Sequence, residues 1–161
     1  MWVNAKQPIR VLFVCAGNIC RSPMAEAIFR AKVQEKGLAD QFVIDSAGTG
    51  SWHVGELPHK GTQAILKSHH IAFDGIRARQ IKANDARNFD WILVMDQDNW
   101  NDVKALMPEA QNVHKVLEFS SSAERNVPDP FFTGGFEHVY ALLEEALDNF
   151  LQVAIDRARQ N

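Results

Sequence analysis

Ile9–Val14 is a nearly continuous apolar run rich in β-branched residues, the pattern of a strand covered on both faces. Pro23–Lys36 carries a helical pattern, with Ser22 as its expected N-cap, Pro23 at the first helical position and Gly37 as its stop. Phe42–Asp45 predicts a second strand, followed by a Gly-rich loop over Ser46–Gly55. Helical composition returns over His59–Ser68 and Asn84–Asn88. Trp91–Met95 predicts a third strand, Asn99–Met107 a helix stopped by Pro108, and Val113–Leu117 a fourth strand. After the polar loop Ser120–Pro130, the positions Phe136, Val139, Tyr140, Leu143, Leu147, Phe150, Leu151 and Ala154 recur at helical spacing, which predicts a long helix over Phe136–Arg159. Strands alternating with helices imply right-handed crossovers. The expected fold class is α/β, a single small doubly wound domain over residues 1–161, with a four-stranded parallel sheet and helices on both faces. In such folds ligands sit beyond the carboxyl ends of the strands, which directs attention to the loops after Val14, Asp45, Met95 and Leu117.

Composition narrows the function. With 161 residues, 46% hydrophobic and 23% charged, the chain is long enough for one sizeable core. A net charge of −3 supplies no global basic field for nucleic acid or an anionic membrane, so anion binding must be local. Val11–Gly17, preceded by Lys6 and Arg10, superficially resembles a signal peptide. It is too short to span a bilayer and lacks a small-residue cleavage site, so the expectation is a soluble, cytoplasmic protein. Two cysteines and scattered histidines, with His69-His70 the only close pair, offer no metal-ligand spacing; no metal and no cofactor are expected.

The first loop carries the chemistry. Cys15 ends a strand, Ala16, Gly17, Asn18, Ile19 and Cys20 follow, and Arg21 and Ser22 open a helix. Successive backbone N–H groups in such a turn converge into an anion-binding nest, and the helix adds its positive end. Gly17 and Asn18 tolerate the left-handed backbone that this requires. Arg21 offers a planar fork for two oxygens of a tetrahedral oxyanion. These surroundings favour a nucleophilic thiolate at Cys15. A lone cysteine at a strand end is usually packing, and a bare Cys-x₅-Arg is a weak pattern; Ser22, the strand before and the helix after sharpen it. The loop lacks the Gly-Lys-Ser/Thr ending of a nucleotide cradle and is not Gly-x-Gly-x-x-Gly.

Val11 through Ala27 closely resembles the signature of low-molecular-weight protein tyrosine phosphatases. The likeness continues through Asp45-Ser46-Ala47-Gly48, Ala78-Arg79-Gln80-Ile81, Met95-Asp96 and Asp129-Pro130. It implies hydrolysis of phosphotyrosine through a cysteinyl-phosphate, with Cys15 as nucleophile, Arg21 as phosphate clamp and Asp129 as general acid and then base. A phenol with a pKa near ~10 leaves poorly unless protonated. Asp129 stands between Pro128 and Pro130, which restrict its backbone; read alone it is equally an ordinary Asp-Pro turn, and Asp96 and Asp98 compete for the acid's role although their place suits helix caps. The resemblance further makes Ser22 a partner of the Cys15 sulfur, and Asn18 and Ser46 supporting polar residues. Trp52, Phe131 and Phe132 become walls of an aromatic slot, against simple burial as the alternative for the two phenylalanines. Many members have tyrosines at 131 and 132, so phosphorylation of that pair is lost here. Some relatives have a loop-supporting histidine where Ile76 stands, which puts that contact in doubt. Cys20 is either a small buried residue or, as the family implies, the partner of Cys15 in a protective, reversible disulfide. The implied partners are phosphotyrosine proteins, a tyrosine kinase among them, and inhibitory phosphate or other oxyanions; aromatic residues at the rim are compatible with a monomer or weak homo-oligomer.

Two other classes compete. A thioredoxin-coupled arsenate reductase has a similar loop but relays oxidation through further cysteines, which this chain lacks. A non-catalytic phosphotyrosine-binding module needs neither a nucleophile nor an acid, whereas Cys15, Arg21 and Asp129 occur together.

Overall fold

The apolar run at the start of the chain is apolar because both of its faces are covered. In the computed structural model, which describes residues 7–160, β1 (Ile9–Cys15) sends Val11, Phe13 and Cys15 into one core and Leu12 and Val14 into another. Lys6 lies outside the described residues. The other strands are β2 (Phe42–Gly48), β3 (Trp91–Val94) and β4 (Val113–Lys115), arranged in the order β2-β1-β3-β4 with every pairing parallel. Helices α1 (Arg21–Glu35), α2 (Lys60–Ser68) and α6 (Phe136–Gln160) pack on the first core; α3 (Asp85–Asn88) and α4 (Gln97–Leu106) border the second. A short helix α5 (Pro130–Thr133) precedes α6. The α/β expectation holds, and the strand order reverses between β1 and β3, which places the loop after β1 at the switch point.

Several boundaries differ from the sequence reading, each for a physical reason. The second strand runs on to Gly48, because parallel pairing with β1 continues from Ile9↔Phe42 to Cys15↔Gly48; Ser46–Gly48 therefore belong to the strand and not to the loop. The fourth strand stops at Lys115, and Val116–Phe119 turns into a 3₁₀ helix that buries Val116 and Leu117 in the first core. The third strand stops at Val94, and α4 starts at Gln97 because the Asp96 carboxylate accepts from the Asn99 N–H (2.7 Å) as its N-cap. The first helix begins at Arg21, with Cys20 at the cap position and Pro23 third, so Ser22 is not the N-cap. Its hydroxyl is turned to the Cys15 sulfur and the Asn18 side chain, and no side chain caps this helix. Among the described residues no helix is long and apolar enough to cross a membrane.

Candidate active site

The loop after β1 is shaped from outside. Its carbonyls accept from the chain packed around it: Cys15 O from the Thr49 N–H (2.9 Å), Ala16 O from Gly50 (2.9 Å), Ile19 O from His59 (2.7 Å) and Cys20 O from the Thr62 hydroxyl (3.0 Å). Turning the carbonyls outward leaves the amides for the concave side, as an anion nest requires. Asn18 sits at φ 56°, the left-handed region its side chain tolerates. Gly48 is held against the loop so closely that a Cβ there would lie 2.8 Å from Ala16 O.

A buried polar chain fixes the loop from within. Ser22 Oγ lies 3.0 Å from Cys15 Sγ, and the Asn18 backbone N–H donates to the same sulfur (3.3 Å). Asn18 Nδ2 donates to Ser22 Oγ (2.7 Å) and to Ser46 Oγ (3.0 Å), and Ser46 Oγ donates to Glu26 Oε1 (2.6 Å). Asn18 Oδ1 accepts from the Arg79 backbone N–H (3.0 Å), while Ile76 is buried in the core and offers no polar contact. That amide, not a side chain from position 76, steadies Asn18. Burial pushes the Glu26 carboxyl above its ordinary range, against the lowering effect of the Ser46 hydrogen bond and of Arg30, with which it forms an ion pair one turn along α1.

Arg21 is buried and anchored at both ends of its fork. Nη1 donates to Asp96 Oδ2 (2.6 Å) and Val127 O (2.9 Å), and Nη2 lies 3.6 Å from Asp129 Oδ2. Burial pulls the guanidinium down, but the negative groups at Cys15, Asp96 and Asp129 more than offset it, so its pKa rises and its charge is secure. Asp129 Oδ1 accepts from the Phe131 N–H (3.0 Å) as the cap of α5. It is thus the turn residue of one reading and a cleft residue as well, with its second oxygen facing Arg21.

One cleft of about 290 Å³ gathers Cys15, Arg21, Asp129, Trp52, Phe131 and Phe132 with the loop. The two phenylalanines are exposed, Phe132 by 80%, so burial does not account for them. Ser22, Ser46 and Asn18 stand behind the loop rather than in the cleft. Asp96 holds Arg21 and caps α4 together. Burial, followed by the charges of Cys15 and Asp129, pushes the Cys20 thiol up to about 12, so it is neutral at pH 7. Sequence reasoning missed His53, which lines the cleft against Gly17, and Glu26, whose only signal was a carboxylate set among the small and apolar residues Met24, Ala25 and Ala27. Among the described residues no three His, Cys, Asp or Glu side chains gather as a metal cluster.

A deep cysteine and an arginine on one anion loop, faced by a carboxylate, make an arrangement for attack on a tetrahedral oxyanion ester. Residues 10–161 match the low molecular weight phosphotyrosine protein phosphatase family. The low molecular weight protein-tyrosine-phosphatase PtpA of Staphylococcus epidermidis is 45% identical over 151 residues, 93% of this chain and 96% of that protein. The crystal structure of YfkJ from Bacillus subtilis is similar at a TM-score of 0.92 and 42% identity, covering 94% of this chain and 97% of that one. A drosophila arginine phosphatase is similar at a TM-score of 0.83 and 36% identity, covering 90% and 97%. The chain belongs to the low molecular weight protein tyrosine phosphatase family and is a hydrolase of phosphoric monoesters that uses a cysteine nucleophile.

Proposed function

We propose that Cys15, Arg21 and Asp129 perform phosphotyrosine hydrolysis in two displacements. The Cys15 thiolate attacks phosphorus while Arg21 and the loop amides hold the equatorial oxygens. The bond from phosphorus to the phenolic oxygen breaks as Asp129 delivers its proton to that oxygen. Asp129 then takes a proton from water, the hydroxide attacks phosphorus, and the P–S bond breaks to return the thiolate and release phosphate. Ser22, 3.0 Å from the sulfur, steadies the thiolate as nucleophile and as leaving group. The observation that carries the reading is the meeting of these three side chains in one cleft walled by Trp52, Phe131 and Phe132. Such a slot fits a phenyl ring and keeps the shorter phosphoserine away from the loop.

The deciding assay is steady-state hydrolysis of a phosphotyrosine peptide, its phosphoserine counterpart and phosphoarginine, the last included because a relative is named an arginine phosphatase. Phosphotyrosine alone should turn over, with a chelator present. Cys15→Ser should be inactive, and Asp129→Asn should lose roughly 10²–10⁴ in kcat. Preference for phosphoarginine would refute the substrate assignment.

Phosphotyrosine proteins, a tyrosine kinase among them, are the partners this reading supplies, with phosphate and similar oxyanions as competitive inhibitors and a monomer or weak homo-oligomer as the working unit. A mechanism that depends on a free thiol suits a reducing compartment such as the cytoplasm. Cys20 sits on the same loop as a free, buried thiol, which supports a protective Cys15–Cys20 disulfide under oxidation. Peroxide inactivation should then be reversed by dithiothreitol in the wild type and not in Cys20→Ser; equal recovery would remove the redox role.

A further inference from the structure

Trp52 is a wall shared by two clefts. The residue lines the catalytic cleft and also a second groove of about 340 Å³, together with Thr49, Gln80, Ile81, Asp102 and Leu106. The indole is 70% exposed and rests on Gly50, where any added Cβ would overlap the ring. The second groove holds none of the reacting groups.

Its lining has a definite chemistry. Leu106, 42% exposed, gives most of the apolar surface, and Ile81, a core residue 6% exposed, adds a small part. Asp102 on α4 stands exposed, and among the described residues its carboxylate enters no hydrogen bond or ion pair. Asp98, outside the lining, lies one turn earlier on the same helix face and adds to the negative field. Gln80 donates one amide hydrogen to Thr49 O (3.2 Å), which leaves its side-chain carbonyl as an acceptor for a peptide N–H. An apolar surface ending in an unpaired carboxylate matches a long cationic side chain, whose stem packs while its head pairs. An extended chain advances ~3.3 Å per residue, so crossing an indole of about 7 Å takes roughly two residues.

We propose that this groove is a substrate subsite, and that it selects a lysine or arginine two or three residues from the phosphotyrosine. The inference rests on the phosphatase reading and adds the class of phosphoprotein it prefers: one whose phosphotyrosine is flanked by a basic residue. The cation's stem lies chiefly on Leu106, and its charge meets Asp102.

The test compares kcat/KM for phosphotyrosine peptides that differ only in Arg, Ala or Glu placed two or three positions from the phosphotyrosine on either side. The wild type should prefer Arg over Glu about five- to tenfold on one side, the scale of one solvent-exposed ion pair together with the matching repulsion. Asp102→Lys should invert that order, Leu106→Ala should reduce turnover of the Arg peptide more than of the Ala peptide, and 0.5 M salt should flatten the preference. Equal rates on all peptides, or an Arg preference that survives in Asp102→Lys, would overturn the subsite. Hydrolysis of p-nitrophenyl phosphate by the wild type separates the two levels. If that substrate is turned over without any peptide preference, the subsite alone is wrong; if it is not turned over, the phosphatase reading fails and takes the subsite with it.

Discussion

At the scale of single residues, Glu26 lies behind the loop, outside the cleft, yet is joined to the Cys15 sulfur through hydrogen bonds. Its carboxylate ends the chain from Cys15 through Ser22, Asn18 and Ser46, and it is 2% exposed. A carboxyl that holds its proton more tightly in the folded chain adds stability below the ordinary glutamate range and loses it as pH rises through its raised folded value. Glu26→Gln keeps an acceptor for Ser46 and discards the buried charge. Its thermal midpoint relative to wild type should therefore climb between pH 4 and pH 8, with turnover retained. Glu26→Ala leaves the Ser46 hydroxyl without its acceptor and should lower kcat at every pH. A wild-type pH dependence in Glu26→Gln would show that the buried charge is not the titrating group. Cys15 and Arg21 were legible in the sequence because strand, loop and helix each leave a local signature, whereas Asp129, read alone an ordinary Asp-Pro turn, stood out only through the family resemblance. Glu26 and His53 were not, because their roles depend on neighbours 20 or more positions away, such as Ser46 and Gly17.

At the scale of elements, the critical contact is between the end of β2 and the loop after β1. The sequence made Ser46 a loop residue, since Ser, Gly and Thr cluster there; sheet pairing with β1 overrides that local preference and carries the strand to Gly48. The same competition hid the cap of α1. Ser22 has the composition of an N-cap, yet its hydroxyl serves the Cys15 sulfur, and the helix is left uncapped where the anion nest opens. Because β2 supports the loop by backbone contact, Gly48→Ala probes this junction directly. The new Cβ would lie 2.8 Å from Ala16 O and 3.1 Å from Gly17 C, both backbone atoms, so the loop must move. A displacement of about 1 Å at reacting groups costs roughly 10²-fold. Gly48→Ala should lose activity on that scale while circular dichroism stays native; full activity would mean that the loop tolerates a shift.

At the scale of the whole molecule, the question is whether the core or the loop's own bonds set the catalytic geometry. Phe29 on α1 is fully buried and joins four elements through ring contacts with Phe13 of β1 (5.8 Å), Phe42 of β2 (5.5 Å) and Phe150 of α6 (5.4 Å). β1 and α1 are also the elements that bracket the nucleophile loop, so a cavity at Phe29 loosens the frame directly behind it. Phe29→Ala should cost about 3–5 kcal/mol, which at about 2–4 °C per kcal/mol lowers the thermal midpoint by roughly 10 °C. The loop, however, is held by bonds from Thr49, Gly50, His59 and Thr62 outside and by Asn18, Ser22 and Ser46 within, none of which involves Phe29. Well below the transition, kcat in Phe29→Ala should therefore stay close to wild type while stability falls. If kcat fell in proportion to stability instead, the loop would be taking its shape from the core, and the polar chain ending at Glu26 would be following that shape rather than setting it.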